Sequence, residues 1–216
     1  MRNSILIVLT TILSFTVLSS NASTIRGASS VINSVPKIAN NLSIENTFDQ
    51  SGLSSSYVNG VTDFESYVAT TTHSISVTSE WGAYASPVVI DYDLGDSYSV
   101  NKLAIWNAEG ETGIKSVNIF ASADSSFSTS INLGTFSLLG NPSSIDYLAD
   151  VFGFSPVTAQ FIRLEVSNSS FAVALGEVAF STSEISEVPI PAAAFMFAPA
   201  LLGFMGLRRR AKVSAV

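Results

Sequence analysis

Residues 87–95 read PVVIDYDLG. Val88, Ile90, Tyr92 and Leu94 alternate with Val89, Asp91 and Asp93. A period of two sends successive side chains to opposite faces of an extended chain. The stretch therefore predicts a half-buried β-strand with one apolar and one polar face, ending at Gly95.

The same pattern recurs downstream. VNKLAIWN (100–107) is rich in β-formers. IKSVNIFAS (114–122) sets Val117, Ile119 and Ala121 against Asn118, Phe120 and Ser122. INLGTFSLL (131–139) predicts a strand with a bulge or bend at Gly134. QFIRLEVS (160–167) sets Ile162, Leu164 and Val166 against Arg163 and Glu165, and Arg163 is expected to pair with an acid across the sheet. ALGEVAFS (174–181) closes the series. The joints AEGETG (108–113), SADSSFSTS (122–130) and SNSSFAV (167–173) are small and polar. Upstream, 44–80 carries a turn signal at Asn59-Gly60 and short β-prone runs, with FESYVA readable as one helical turn. Residues 23–43 read as a loose leader that adds at most one edge strand. Short strands at near-regular spacing, with no long amphipathic helix, predict an all-β sandwich. A five-stranded barrel is the rival, and the strand count exceeds it. No internal repeat points to a solenoid or propeller.

The chain has 216 residues and no cysteine, which removes disulfides, thiolate metal sites and cysteine nucleophiles. All 17 acidic residues fall within 23–187, against five basic ones (Arg26, Lys37, Lys102, Lys115 and Arg163), a formal charge of −12 for that span. So acidic a surface excludes nucleic acid and charge-driven binding to anionic lipid. It fits a soluble extracellular domain, and it attracts divalent cations.

Both ends read as processing signals. In residues 1–22, Arg2 precedes the apolar run ILIVLTTILSFTVL (5–18), and Ser20 and Ala22 supply small residues before a cleavage point at Ser23. At the other end VPIPAAAFMFAPALLGFMGLRRR (188–210) holds an uncharged segment, 188–207, just long enough to span a hydrocarbon core of about 30 Å. Pro191 suits a helix start. The cluster Arg208, Arg209, Arg210 sets the tail on the cytoplasmic side and the domain outside. A permanent anchor and a removable signal both fit these features.

Val188-Pro189-Ile190-Pro191, the apolar helix and the basic cluster together resemble a PEP-CTERM sorting signal in its VPxPAA variant, over 188–212 after a short linker (182–187). Ile190 stands where that pattern usually has Glu, and Glu187 lies just upstream. The resemblance implies export through the inner membrane of a Gram-negative bacterium, transient membrane insertion and processing by an exosortase. The destination is then the cell surface or an extracellular matrix, and biofilm polysaccharide becomes a partner.

Residues 44–181 resemble the discoidin, or coagulation factor C-type, galactose-binding-like domains. The stretches SEWGAYASPVVIDYDLG (79–95), VNKLAIWN, VNIFASADSSF (117–127), AQFIRLEVS (159–167) and ALGEVAF (174–180) occur in that family's order. The resemblance implies a jelly-roll sandwich that binds carbohydrate through loops at one end, with a structural calcium in some members. On that footing Trp81 is a candidate to stack on a sugar ring, with rim or core packing as the alternative, and Asn107 and Glu109 are candidate hydrogen-bonding groups. Trp106 reads as core. Glu177, in the last strand, is the candidate calcium carboxylate, with Asp63 as its possible partner and loop carbonyls completing the six to eight oxygens that calcium takes. His73 is the single histidine, so no multi-histidine metal centre exists, and no nucleophile-elbow motif is present. The expected protein is therefore a non-enzymatic carbohydrate-binding module. A structural matrix protein is the alternative, and a secreted hydrolase comes third.

Overall fold

The computed structural model describes residues 23–108, 110–140 and 145–185. The signal peptide, Val188–Pro191 of the sorting motif, Arg208–Arg210 and Glu109 lie outside the described residues. Among the described residues no helix is long and apolar enough to cross a membrane.

The alternation at 87–95 is realised in three dimensions. Val88, Ile90, Tyr92 and Leu94 are buried and Val89 is exposed, while Asp91 on the other face is buried and Asp93 half-buried. The strand does not end at Gly95, however. Strand β5 runs from Val88 to Asn107 and takes in VNKLAIWN. Gly95 sits at φ +86, a left-handed conformation that glycine adopts without steric cost, so the chain bends there and continues. Strand β9 (Asp150–Ser167) pairs antiparallel with β5 from Val88↔Val166 to Ile105↔Asp150. The register slips between Asp93 and Tyr98 and again between Val100 and Lys102. Through these irregularities both strands pass from one layer of the sandwich into the other.

The first half of β5 is flanked by β2 (Ser30–Val31). The second half is flanked by β10 (Val173–Ser183). β6 (Ser116–Ser122) and β7 (Ser130–Ser137) extend the first layer from the second half of β9. β1 (Thr24–Arg26) and β4 (Trp81–Ala83) both pair with β10. Hydrogen bonding thus joins eight strands into one folded sheet, and β3 (Thr72–His73) with β8 (Tyr147–Leu148) forms a separate two-stranded ribbon. The leader supplies β1 and β2, so it belongs to the sheet rather than preceding it. β7 carries the expected bulge, with Gly134 at φ +126 and a register shift opposite Ile119 and Phe120.

The main core fills the space between the layers. Ile90, Ile119 and Leu164 from one side meet Leu103, Ile105, Val178 and Phe180 from the other. Ala104, Trp106 and Ala179 alternate outward from the second layer into a smaller cluster, closed by helix α1 (Phe64–Val68) through Phe64, Tyr67 and Val68. FESYVA thus takes its helical reading, with Asp63 as N-cap accepting from Ser66 N at 2.9 Å. On the outer face of β5, Asp91 lies opposite Arg163, which donates to it twice, at 2.6 and 2.9 Å, and stacks over Phe127.

Candidate functional site

Both ends of β5 lie at the same end of the molecule, because the strand bends over at Gly95. Three loops meet there: 84–87, 108–115 and 168–172. Asn168 joins them. Its backbone N–H donates to Ser86 Oγ, its carbonyl accepts from that hydroxyl, and its amide donates to the carbonyls of Glu111 and Gly113. Asn107 fixes the middle loop from below, with Nδ2 donating to Ile114 O at 2.8 Å and Oδ1 accepting from Ile114 N at 2.7 Å.

Two aromatic rings stand above this base. Tyr84 is 67% exposed and Phe171 is 76% exposed. They stack, with ring centroids 5.7 Å apart and an interplanar angle of 23°. The exposed pair, held by hydrogen-bonded loops, offers an apolar surface beside polar groups. The exposed Glu111 and Thr112 flank it in the neighbouring loop.

This chain is similar to solved family 32 carbohydrate-binding modules. One is the module of AlyQ in complex with 4,5-unsaturated mannuronic acid, at 16% identity and TM-score 0.46, covering 73% of this chain and 97% of that one. Another is the family 32 module of NanJ from Clostridium perfringens in complex with galactose, at 15% identity and TM-score 0.46, covering 74% and 98%. A third contains two such domains of ZmpB from Clostridium perfringens in complex with GalNAc, at 13% identity and TM-score 0.48, covering 72% and 33%. No family model matches the sequence, and no curated protein matches it.

The residues nominated from sequence take other positions. Trp81 is fully buried in the main core, with its indole N–H donating to Pro36 O at 2.9 Å. It presents no face to a ligand, because β4 packs it between β10 and the leader. Trp106 is core, as expected, and donates to Thr71 O. Asn107 is fully buried and positions the loop from beneath. Asp63 is exposed and caps α1. Glu177 is fully buried in β10. It accepts from Gln50 N at 3.1 Å and from the Tyr57 hydroxyl at 3.4 Å. Burial first, and then the charge of Asp49, push its carboxyl well above the usual range. Asp49 therefore acts on Glu177 where the sequence suggested Asp63. Among the described residues no three His, Cys, Asp or Glu side chains converge into a metal-binding group. A cation at Glu177 would thus depend on Asp49 and on backbone oxygens, the mixed donor set that calcium accepts.

Sequence reading passed over Tyr84 and Phe171. The signal was present: each is the only bulky residue in a run of small and polar ones, within GAYASP and SNSSFAV. Both lie outside the alternating segments that bury their aromatics.

Proposed function

We propose that this chain is an exported, surface-sorted protein whose sandwich binds carbohydrate without catalysis. The exposed Tyr84–Phe171 stack carries the reading. The flat C–H faces of a sugar ring match such a surface, and the Asn168-bonded loops hold it in place before binding. The signal peptide and the proline motif with its apolar helix and arginine cluster support export, processing by an exosortase and residence at the surface or in a polysaccharide matrix of a Gram-negative bacterium. Calcium, where bound, is held by Glu177 and Asp49 with carbonyls of the loop that carries Asp49, and it stiffens that loop rather than touching the sugar.

A glycan array followed by affinity electrophoresis tests this reading, run with calcium and with chelator. The native chain is retarded by at least one polysaccharide. Tyr84→Ala and Phe171→Ala each weaken that binding by about tenfold, roughly 1.4 kcal/mol, while far-UV circular dichroism is unchanged. Calcium raises the melting temperature of the native chain and leaves Glu177→Gln unmoved. Binding that survives both aromatic substitutions refutes the site, and turnover of a polysaccharide refutes the non-catalytic reading.

A further inference from the structure

Strand β1 is held on both of its edges. On one, Thr24 lies opposite Thr182 and Arg26 opposite Phe180 of β10, and the two threonine hydroxyls each donate to the other residue's carbonyl, at 3.2 and 3.3 Å. On the other edge it meets the segment that leads into α1. Ile25 N–H donates to Thr62 O at 2.9 Å, Gly60 N–H donates to Ile25 O at 3.0 Å, and Gly27 N–H donates to Asn59 Oδ1 at 2.9 Å. The Ile25 side chain is fully buried in the smaller cluster with Phe64, Tyr67 and Trp106. Ser23, just ahead of the strand, is fixed as well. Its carbonyl accepts from Phe64 N–H at 3.2 Å, and its hydroxyl bonds to that of Ser181.

The sequence places a cleavage point at the Ala22–Ser23 bond. A peptidase binds an extended segment as an added strand, pairing its backbone groups with the enzyme's own. In the folded domain the groups just past the bond are taken, Ser23 O by Phe64 and Thr24 O by Thr182. Those partners arrive late. Thr182 lies 158 residues after Thr24, so a chain exported from its N-terminal side presents the bond long before β10 can cover it. At about 5–20 residues per second, roughly 8–30 s separate the two when export keeps pace with synthesis. The nearer edge at 59–64 cannot hold β1 by itself, because an isolated two-stranded pairing is marginal in water.

We infer that cleavage at Ala22–Ser23 precedes the docking of β1, and that the folded domain is closed to the signal peptidase. The inference rests on the export reading proposed above. The step adds water across the Ala22–Ser23 amide and leaves a carboxylate on Ala22 and an ammonium on Ser23. β1 then joins last and seals the smaller cluster with Ile25. A precursor that folds first keeps its N-terminal apolar segment and stays tied to the membrane. Pairing the first strand with the last thus gives the peptidase its interval and ends it.

Digestion of the full-length precursor by a purified bacterial signal peptidase in mild detergent tests this, with intact mass as the readout. In urea above the domain's unfolding midpoint, where the peptidase still cuts an unstructured control peptide, the precursor loses residues 1–22. The native precursor is cut at least about a hundredfold more slowly, as a bond exposed only in a rare open state is. A Gly/Ser spacer of about eight residues between Ser23 and Thr24, spanning roughly 15 Å, sets the bond clear of the sheet. That variant is cut in its native state at the unfolded rate, with its melting temperature unchanged. Native precursor cut as fast as unfolded precursor overturns the inference. So does a folded spacer variant that stays uncut, since the docked strand is then not what protects the bond. Failure to cut at Ala22–Ser23 even in urea removes the signal-peptide reading itself, and the inference with it.

Discussion

His73 shows how a single side chain can hold two distant segments. Its ring is fully buried between Gly52 and Gly176, and a Cβ on either glycine would lie 2.7 or 2.9 Å from it. The glycines are required by the ring. Nδ1 lies 2.8 Å from Ser74 O and 3.0 Å from the Tyr147 hydroxyl, which itself donates to Glu80 at 2.8 Å. Nε2 is buried with no hydrogen-bond partner among the described residues. Burial lowers the His73 pKa, against smaller opposing effects from nearby backbone carbonyls and Asp146. The folded state therefore favours the neutral ring. That contribution to stability is complete above the unfolded value of about 6.5 and is lost as pH falls from there through the lowered folded value. Thermal melts between about pH 7.5 and pH 5 should show a loss of stability that is smaller in His73→Gln. Equal slopes in the two proteins would remove His73 from the account. Glu177 responds in the opposite sense. Its raised carboxyl gives stability that is present below the unfolded value and lost as pH rises through the folded one, so the comparison must be made between His73 variants and not read from the native chain alone.

At the scale of elements, the loops at the aromatic end depend on two asparagines of different kinds. Asn107 is buried, and its amide meets Ile114 O, Ile114 N and Leu139 O. Asn107→Ala leaves the Ile114 backbone groups desolvated without those bonds and should cost about 2–4 kcal/mol in denaturant unfolding. Asn168 is partly exposed and bridges three loops. Asn168→Ala should cost less stability, about 1 kcal/mol, but weaken polysaccharide binding through loss of loop order. Binding unchanged in Asn168→Ala would mean that the Tyr84–Phe171 stack needs no such support. Both residues also show what sequence could and could not convey. The inward sets Val88/Ile90/Tyr92/Leu94, Val117/Ile119/Ala121 and Ile162/Leu164/Val166 are all buried as their alternation predicts, since periodicity reports a face directly. The first half of β9 was not legible, because DVFGFSPVTA lacks clean alternation and Pro156 argues against a strand; it is tolerated there because that half of β9 is an edge. For Trp81 the sequence left stacking and packing both open, and packing holds, while the role of Asn107 was not legible. A residue type at a strand end does not reveal whether a leader 45 residues upstream will cover it, as the segment at Pro36 covers Trp81.

At the scale of the whole molecule, net charge bears on which polysaccharide the proposed site would hold. Of the five basic residues in 23–187, Arg163 is engaged by Asp91 and Lys102 by Glu65. Arg26 lies over the Tyr98 ring, and Lys37 is exposed. Lys115 extends toward Gly140, with Nζ 2.8 Å from where a Cβ there would sit. In the bonded loop 108–115, Glu111 is exposed and its carbonyl accepts from Asn168, and Lys115 lies at the far end of the same loop. A polyuronate would bring a row of carboxylates to a domain whose formal charge over 23–187 is −12. A neutral polymer pays no such penalty and gains the same ring stacking. Affinity electrophoresis against a neutral galactan and a polygalacturonate, at about 0.01 M and about 1 M salt, separates the two effects, since the screening length falls from about 30 Å to about 3 Å over that range. The neutral polymer should bind comparably at both. The polyuronate should bind at least about tenfold more weakly at low salt, roughly 1.4 kcal/mol, and approach the neutral polymer at high salt. Glu111→Lys should narrow the gap at low salt without altering the neutral affinity. Tighter polyuronate binding at low salt, lost in Tyr84→Ala, would keep the aromatic site and overturn this account of its selectivity.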